Sequence, residues 1–76
     1  MSTEDRVLQI IAEQFECSRG QVTLLSDFTQ DLGADEIAVI ELMSALENEF
    51  GVQISNGDPN EFRNAKGVLE AIALAR

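Results

Sequence analysis

Residues 36 to 50 combine a helical spacing of apolar side chains with a boundary signal at each end. Gly33 permits a turn, Asp35 can accept hydrogen bonds from the free amides of a first helical turn, and Gly51 suits the left-handed residue that often ends a helix. The apolar side chains between these boundaries recur every three or four residues: Ile37, Ile40, Leu42, Met43, Leu46 and Phe50. The spacing predicts an α-helix that begins at about Glu36, and it does not suit a strand.

A first helix is predicted near the N-terminus. Ser2, with Asp5 three residues later, resembles a capping box, and the helix of about thirteen residues should end near Cys17. Its predicted core side chains are Val7, Ile10, Ile11 and Phe15.

Helical signals recur toward the C-terminus. Asp58 followed by Pro59 suggests a cap and a first helical position, and so predicts a brief helix through about Phe62. Asn64 can cap a last helix, whose predicted inward side chains are Val68, Leu69 and Ile72.

The connections between these helices are predicted to be ordered. The long connection before Asp35 is too apolar for a free linker, so it should lie over the helices and bury Val22, Leu24, Leu25, Phe28 and Leu32. After Gly51 we expect a short extended link anchored by Val52 and Ile54, and then a turn at Asn56-Gly57.

Length and composition bound the function. Residues 1–76 form a single domain, and the net charge of −9 argues against binding nucleic acid or an anionic membrane. The expected partners are basic patches on other proteins. No His is present, which excludes catalytic triads and zinc sites that depend on it. The single Cys17, the polar start of the chain and the lack of a long apolar run favour a location in the cytoplasm. A monomer is expected.

The central helix resembles the second helix of the acyl carrier proteins, the type II carriers of phosphopantetheine. The matching residues are Leu32, Gly33, Ala34, Asp35, Glu41, Leu42, Ala45, Leu46, Glu47, Glu49 and Phe50. The resemblance implies an all-α fold: an acyl-carrier-protein-like four-helix bundle of three longer helices and one short helix, with a long loop between helices I and II. It also implies involvement in fatty-acid or related acyl and secondary-metabolite synthesis.

The residue that would carry the cofactor differs. The family attaches phosphopantetheine to a serine, and Glu36 holds that position here. A carboxylate cannot form the phosphodiester, and Ser44 lies roughly 12 Å further along the helix, so no bound phosphopantetheine is expected. Glu36 would at least stabilise the helix start through the helix dipole, and its charge would at most stand in for the missing phosphodiester.

We therefore predict that the chain has a partner-binding surface and that it is not an enzyme. Its expected residues are Asp35, Glu36, Ile37, Glu41, Met43 and Glu47, with Ile37 and Met43 partly exposed. The alternative for Met43 is that it belongs to the core. No catalytic residue is expected, because nothing in the sequence places either of the adjacent carboxylates, Asp35 or Glu36, in an apolar pocket. No metal ligand is expected, because the segment from Asp58 to Glu61 lacks the alternating oxygen ligands and the glycine of an EF-hand loop.

Three functions fit the sequence. The first is an unmodified decoy, regulatory or structural homologue that docks through the acidic helix. The second is an acyl carrier protein of fatty-acid or polyketide synthesis inactivated by a Ser-to-Glu replacement at position 36. The third, an acidic inhibitor that mimics nucleic acid, is disfavoured because the charges concentrate on one helix instead of following a phosphate-like track.

Overall fold

The computed structural model describes residues 2–54, 58 and 60–75, and these contain three α-helices and no strand. The helices are α1 (Thr3–Gln14), α2 (Glu36–Phe50) and α3 (Ala65–Ala75), and a single 3-10 turn spans Arg19–Gln21. The all-α fold is therefore confirmed, whereas a count of four helices is not.

The brief helix predicted after Asp58 is not found among the described residues of that segment, which are Asp58 and 60–62. They form an isolated turn, in which the amide of Asn60 donates to Asp58 Oδ1 at 2.9 Å and the amide of Glu61 donates to the Asp58 carbonyl at 3.1 Å. The carboxylate thus closes a turn instead of capping a helix. Pro59 and the predicted turn at Asn56-Gly57 lie outside the described residues.

Helix α1 packs against both other helices. The start of α1 lies beside the end of α2, because the Arg6 guanidinium donates to Glu49 Oε1 at 3.0 Å. The end of α1 lies beside the start of α2, since Phe15 and Ala38 line the same groove, and so the two helices run in opposite directions. The buried core drawn from all three helices and the loop consists of Val7, Leu8, Ile10, Ile11, Ala12, Val22, Phe28, Ala34, Val39, Leu42, Met43, Leu46, Ala65, Val68 and Ile72.

The predicted caps of α1 and α3 are confirmed, and so is the burial of five of the seven predicted core side chains: Val7, Ile10, Ile11, Val68 and Ile72. The Asp5 amide donates to Ser2 Oγ at 3.1 Å, and the Gly67 amide donates to Asn64 Oδ1 at 3.0 Å. Two of the predicted inward side chains, Phe15 and Leu69, are only partly buried and pack against the core.

Helix α1 ends three residues before the predicted boundary. Its last helical residue is Gln14, and Glu16 then takes a left-handed conformation with φ of 55°. This reversal lets the Cys17 amide donate to the Ala12 carbonyl at 3.0 Å, which is the bond that closes a Schellman motif. The sequence gives little sign of this boundary, because glutamate is an unusual residue at a left-handed position.

The loop before α2 covers the helices, as predicted, with one exception. Val22 and Phe28 are buried, and Leu24 and Leu32 are partly buried against the core. Leu25 is 68% exposed, so its predicted burial is wrong. Leu24 takes the inward position at this point, with its carbonyl bonded to the Lys66 amide at 3.1 Å, and the next side chain is left at the surface.

Phe28 ties this loop to the rest of the fold. Its ring meets the Phe15 ring edge-on at a centroid distance of 5.5 Å. Its amide donates to the Arg63 carbonyl, and its own carbonyl accepts from the Ala34 amide, both at 2.8 Å. The loop is consequently fixed to the segment before α3 on one side and to the start of α2 on the other.

Asp27 organises the turn next to Phe28. Its Oδ1 accepts from the amides of Thr29 and Gln30, both at 2.9 Å, and its Oδ2 accepts from the Arg63 guanidinium. These bonds, led by the one from the Gln30 amide, lower the pKa of the Asp27 carboxyl. In the unfolded chain the pKa of the Asp27 carboxyl is about 4. Because its pKa is lower in the folded state, the ionised carboxylate stabilises the fold at pH values above about 4. This contribution is lost as the pH falls through the folded-state pKa.

We expect Asp27→Ala to melt about 5 °C below the wild type at pH 7, because the turn loses its side-chain acceptor. The gap should narrow as the pH falls below about 4, since protonation removes the charge-dependent contribution from the wild type alone. Thermal melts followed by circular dichroism from pH 7 to pH 2.5 measure this gap. Glu70→Gln is the matched control, and a gap for Asp27→Ala that does not change with pH would contradict the assignment.

Candidate functional site

The start of α2 is built as the sequence predicts. Gly33 takes a left-handed conformation with φ of 70°, which turns the chain so that Asp35 precedes the helix in an extended conformation. Asp35 Oδ1 then accepts from the Ala38 amide at 2.8 Å, and α2 begins at Glu36. At the other end, Gly51 has a φ of 65° and its amide donates a hydrogen bond to the Glu47 carbonyl, which ends the helix.

Glu36 is exposed at the first position of α2. Its carboxylate stands at the positive end of the helix dipole, where negative charge is favoured. A phosphodiester would require a hydroxyl at this place, and the residue present offers none. The Ser44 hydroxyl is exposed as well, but it lies about two helical turns away along the same helix.

The apolar stripe of α2 differs from the prediction. At about 100° per residue, Val39, Leu42, Met43 and Leu46 share one side of the helix and are all buried. Ile37 and Ile40 lie away from that side, and their side chains are 68% and 42% exposed. Val39 was missing from the predicted stripe, although its spacing of three, four and seven residues from the other three indicates the core side.

Met43 is only 3% exposed, so the prediction that it offers apolar contact to a partner is wrong, and the alternative that it belongs to the core is confirmed. Its position explains this, because it lies one helical turn after Val39 and beside Leu42 on the core side of α2. The exposure predicted for Ile37 is confirmed. The side of α2 turned away from the core carries Ile37, Ile40, Glu41, Ser44 and Asn48, which we call the outward face.

Glu47 and Glu49 each accept a hydrogen bond from another part of the fold. Glu47 is half-buried and its Oε2 accepts from the Ile54 amide at 2.8 Å, which anchors the link that follows α2. Glu49 bonds to Arg6 on α1, and this hydrogen bond lowers the pKa of the Glu49 carboxyl and raises that of the Arg6 guanidinium. In the sequence both residues belong to one acidic helix, and their spacing along that helix does not show that they bond to the Ile54 amide and to Arg6.

A shallow groove of about 180 Å³ lies beside the start of α2, where the end of α1 meets the loop. Its lining includes Phe15, Leu32 and Ala38 together with the residues that position Asp35. The groove therefore adjoins the position at which the resemblance places the cofactor.

Other kinds of site have little support in the described part of the chain. Across residues 2–54, 58 and 60–75, no three acidic or cysteine side chains converge in a way that could hold a metal ion. Cys17 is half-buried. No helix within these residues combines the length and apolarity needed to cross a bilayer.

The sequence matches a protein-family model over most of its length. The family model described as "Phosphopantetheine attachment site" covers residues 5–72. The match runs from α1 through most of α3 and includes the whole of α2.

Proposed function

The chain belongs to the phosphopantetheine attachment-site family and is a carrier-protein domain, and on this premise we propose that it docks on carrier-recognising proteins without itself being loaded. The single observation that carries the proposal is the combination found at the start of α2. The cap, the turn and the exposed helix surface of a carrier are present, while the residue at the attachment position is Glu36.

Docking without loading suits a decoy, a regulator or a structural subunit. Such a protein would occupy the carrier site of an enzyme of fatty-acid or related acyl synthesis without delivering an acyl group. The partner would contribute basic side chains, since no Lys or Arg occurs between Arg19 and Arg63. The charge of Glu36 would stand in that interface where a loaded carrier has its phosphodiester.

A second reading shares the same surface. The chain would then be an acyl carrier protein of fatty-acid or polyketide synthesis that lost its function through the replacement at position 36. Retention of the Gly33 turn and the Asp35 cap supports it equally. A second carrier with an intact serine encoded in the same genome would favour the decoy or regulatory role, because loading would then be supplied elsewhere.

Mimicry of nucleic acid has less support than these two readings. Glu47 and Glu49 are engaged within the fold, so the acidic side chains of α2 do not form a continuous outward track. A mimic needs charges spaced like phosphates along one surface.

Charge reversal at two glutamates of α2, Glu41 and Glu47, should have different effects on partner binding and on the stability of the fold. We expect Glu41→Lys to weaken binding to an immobilised phosphopantetheine transferase several-fold at low salt and to leave the melting temperature unchanged, because Glu41 is exposed. Glu47→Lys should lower the melting temperature by about 5 °C, because the Ile54 amide loses its acceptor.

Surface plasmon resonance and thermal melts on both variants provide the test. Glu70→Lys on α3 is the matched control for a change of net charge. Equal binding of wild type and Glu41→Lys at low salt would count against docking through α2.

A further inference from the structure

We propose that Arg63, which lies outside α2, is a positioning residue for the start of that helix, and that it acts through Asp27 and the turn formed by residues 27–32. The inference rests on the proposed function, because the start of α2 is the part of the fold at which a carrier would be recognised. Arg63 acts on the geometry around Glu36 through the intervening chain and not through contact with a partner.

The side chain of Arg63 reaches Asp27 across a groove. Its Nε donates to Asp27 Oδ2 at 3.2 Å, and its Nη2 lies at the same distance from that oxygen. The groove has a volume of about 310 Å³ and is lined by residues of both segments: Asp27, Thr29, Gln30, Asn60, Phe62 and Arg63. Because open space separates the two segments here, the bonds that cross it determine how they are held.

Asp27 passes this contact on to the turn. Its main-chain carbonyl accepts from the amides of Asp31 and Leu32 at 2.9 and 3.0 Å, and its own amide donates to Asp31 Oδ2 at 2.7 Å. Its second carboxylate oxygen, Oδ1, accepts from the amides of Thr29 and Gln30. Since one carboxylate bonds to Arg63 and to the turn amides, the Arg63 bond fixes the orientation in which Asp27 closes the turn.

The turn in turn holds the residues that precede α2. Phe28 follows Asp27, and its carbonyl accepts from the Ala34 amide at 2.8 Å. Ala34 is buried, and the next residue is the cap Asp35, whose carboxylate accepts from the Ala38 amide. A continuous series of hydrogen bonds and covalent bonds therefore joins the Arg63 side chain to the first residue of α2.

The contribution of the Arg63 side chain should be local. The side chain is 70% exposed, and ion pairs at the surface add little to the global stability of a protein. Two backbone bonds between the same regions do not depend on it: the Phe28 amide donates to the Arg63 carbonyl, and the Lys66 amide donates to the Leu24 carbonyl. Loss of the side-chain contact should therefore leave the fold intact and make local opening at the start of α2 easier.

Amide hydrogen exchange followed by NMR tests this directly. Arg63→Met keeps an unbranched side chain and removes every donor. We expect it to speed exchange at the Ala34 and Ala38 amides about threefold relative to the Leu46 amide in the middle of α2. Any loss of global stability speeds all three amides and cancels in this ratio.

Arg6→Met is the matched control. It removes the bond from Arg6 to Glu49, a surface ion pair of the same type that joins α1 to the other end of α2. The net charge changes by the same amount in the two variants. We expect the exchange ratio to stay at its wild-type value in Arg6→Met.

Two further variants show whether Arg63 acts through Asp27. Asp27→Asn keeps an acceptor for the turn amides but removes the charge that Arg63 meets, so it should change the ratio as much as Arg63→Met does. The double variant should change it no further, because two residues that act through one contact are not additive. Arg63→Lys, which keeps a charged donor, should restore most of the protection.

Loading gives a second readout. In the Glu36→Ser background, Arg63→Met should lower the rate of loading by the transferase about threefold, and Arg6→Met should leave it unchanged. The inference is overturned by an unchanged exchange ratio in Arg63→Met, by an equal change in Arg6→Met, by additive effects in the double variant, or by an unchanged loading rate. If Glu36→Ser is not loaded at all, the proposed function fails, and hydrogen exchange still decides whether Arg63 positions the start of α2.

Discussion

Glu36→Ser should change the chain from one that accepts no phosphopantetheine to one that is completely loaded by a broad-specificity transferase. The substitution places a hydroxyl at the first position of α2, where it can attack the pantetheine-side phosphorus of the coenzyme A pyrophosphate. The P–O bond to the other phosphate then breaks, and adenosine 3′,5′-bisphosphate leaves. The Gly33 turn and the Asp35 cap that present this position do not depend on the side chain being exchanged. Intact mass after incubation with coenzyme A and transferase measures the change.

Two variants control this result. Glu36→Gln removes the charge without supplying a hydroxyl and should stay unmodified. Glu36→Ser combined with Ser44→Ala should be loaded as completely as the single variant, because Ser44 lies about two turns away. A folded Glu36→Ser protein that stays unmodified while a control carrier is fully converted would mean that the docking surface of a carrier has been lost.

Leu46→Ala should destabilise the fold more than any surface substitution. Leu46 is completely buried on the core side of α2, and truncating such a side chain costs about 2 to 5 kcal/mol through lost burial and the cavity that remains. Domains of this size have only a few kcal/mol of net stability. We therefore expect the variant to be largely unfolded at 37 °C, as measured by urea denaturation followed by circular dichroism.

Leu74→Ala deletes the same atoms at a position that is 89% exposed, and it should change stability by less than about 0.5 kcal/mol. The comparison isolates burial, since both residues lie in helices and alanine is a good helix former. Similar losses for the two variants would contradict the packing of α2 against the core.

Local rules predicted the helices well because their signals lie close together in sequence. Asp35 and Gly51 bound α2 as expected, and Ser2 and Asn64 cap the other two helices. The segment after Asp58 shows where such rules fail. A carboxylate that can cap a helix can also close an isolated turn, and the sequence does not distinguish the two.

The functional surface was harder to predict because it depends on contacts between distant residues. The position of Glu36 follows from the cap at Asp35 alone. The exposure predicted for Met43 is wrong because the predicted stripe omits Val39, and with Val39 included the helical spacing places Met43 on the core side. The bonds from Arg6 to Glu49 and from the Ile54 amide to Glu47 cannot be read from charge spacing, since they join residues brought together by the tertiary fold.

One time course by intact mass spectrometry tests the central claim that the chain docks without being loaded. The unaltered chain, a control carrier, coenzyme A and the transferase are combined, and both proteins are weighed as the reaction proceeds. We predict that the chain keeps its mass while conversion of the control slows in proportion to the amount of chain added. A mass increase of the chain by one phosphopantetheine, or conversion of the control at an unchanged rate, would contradict the account.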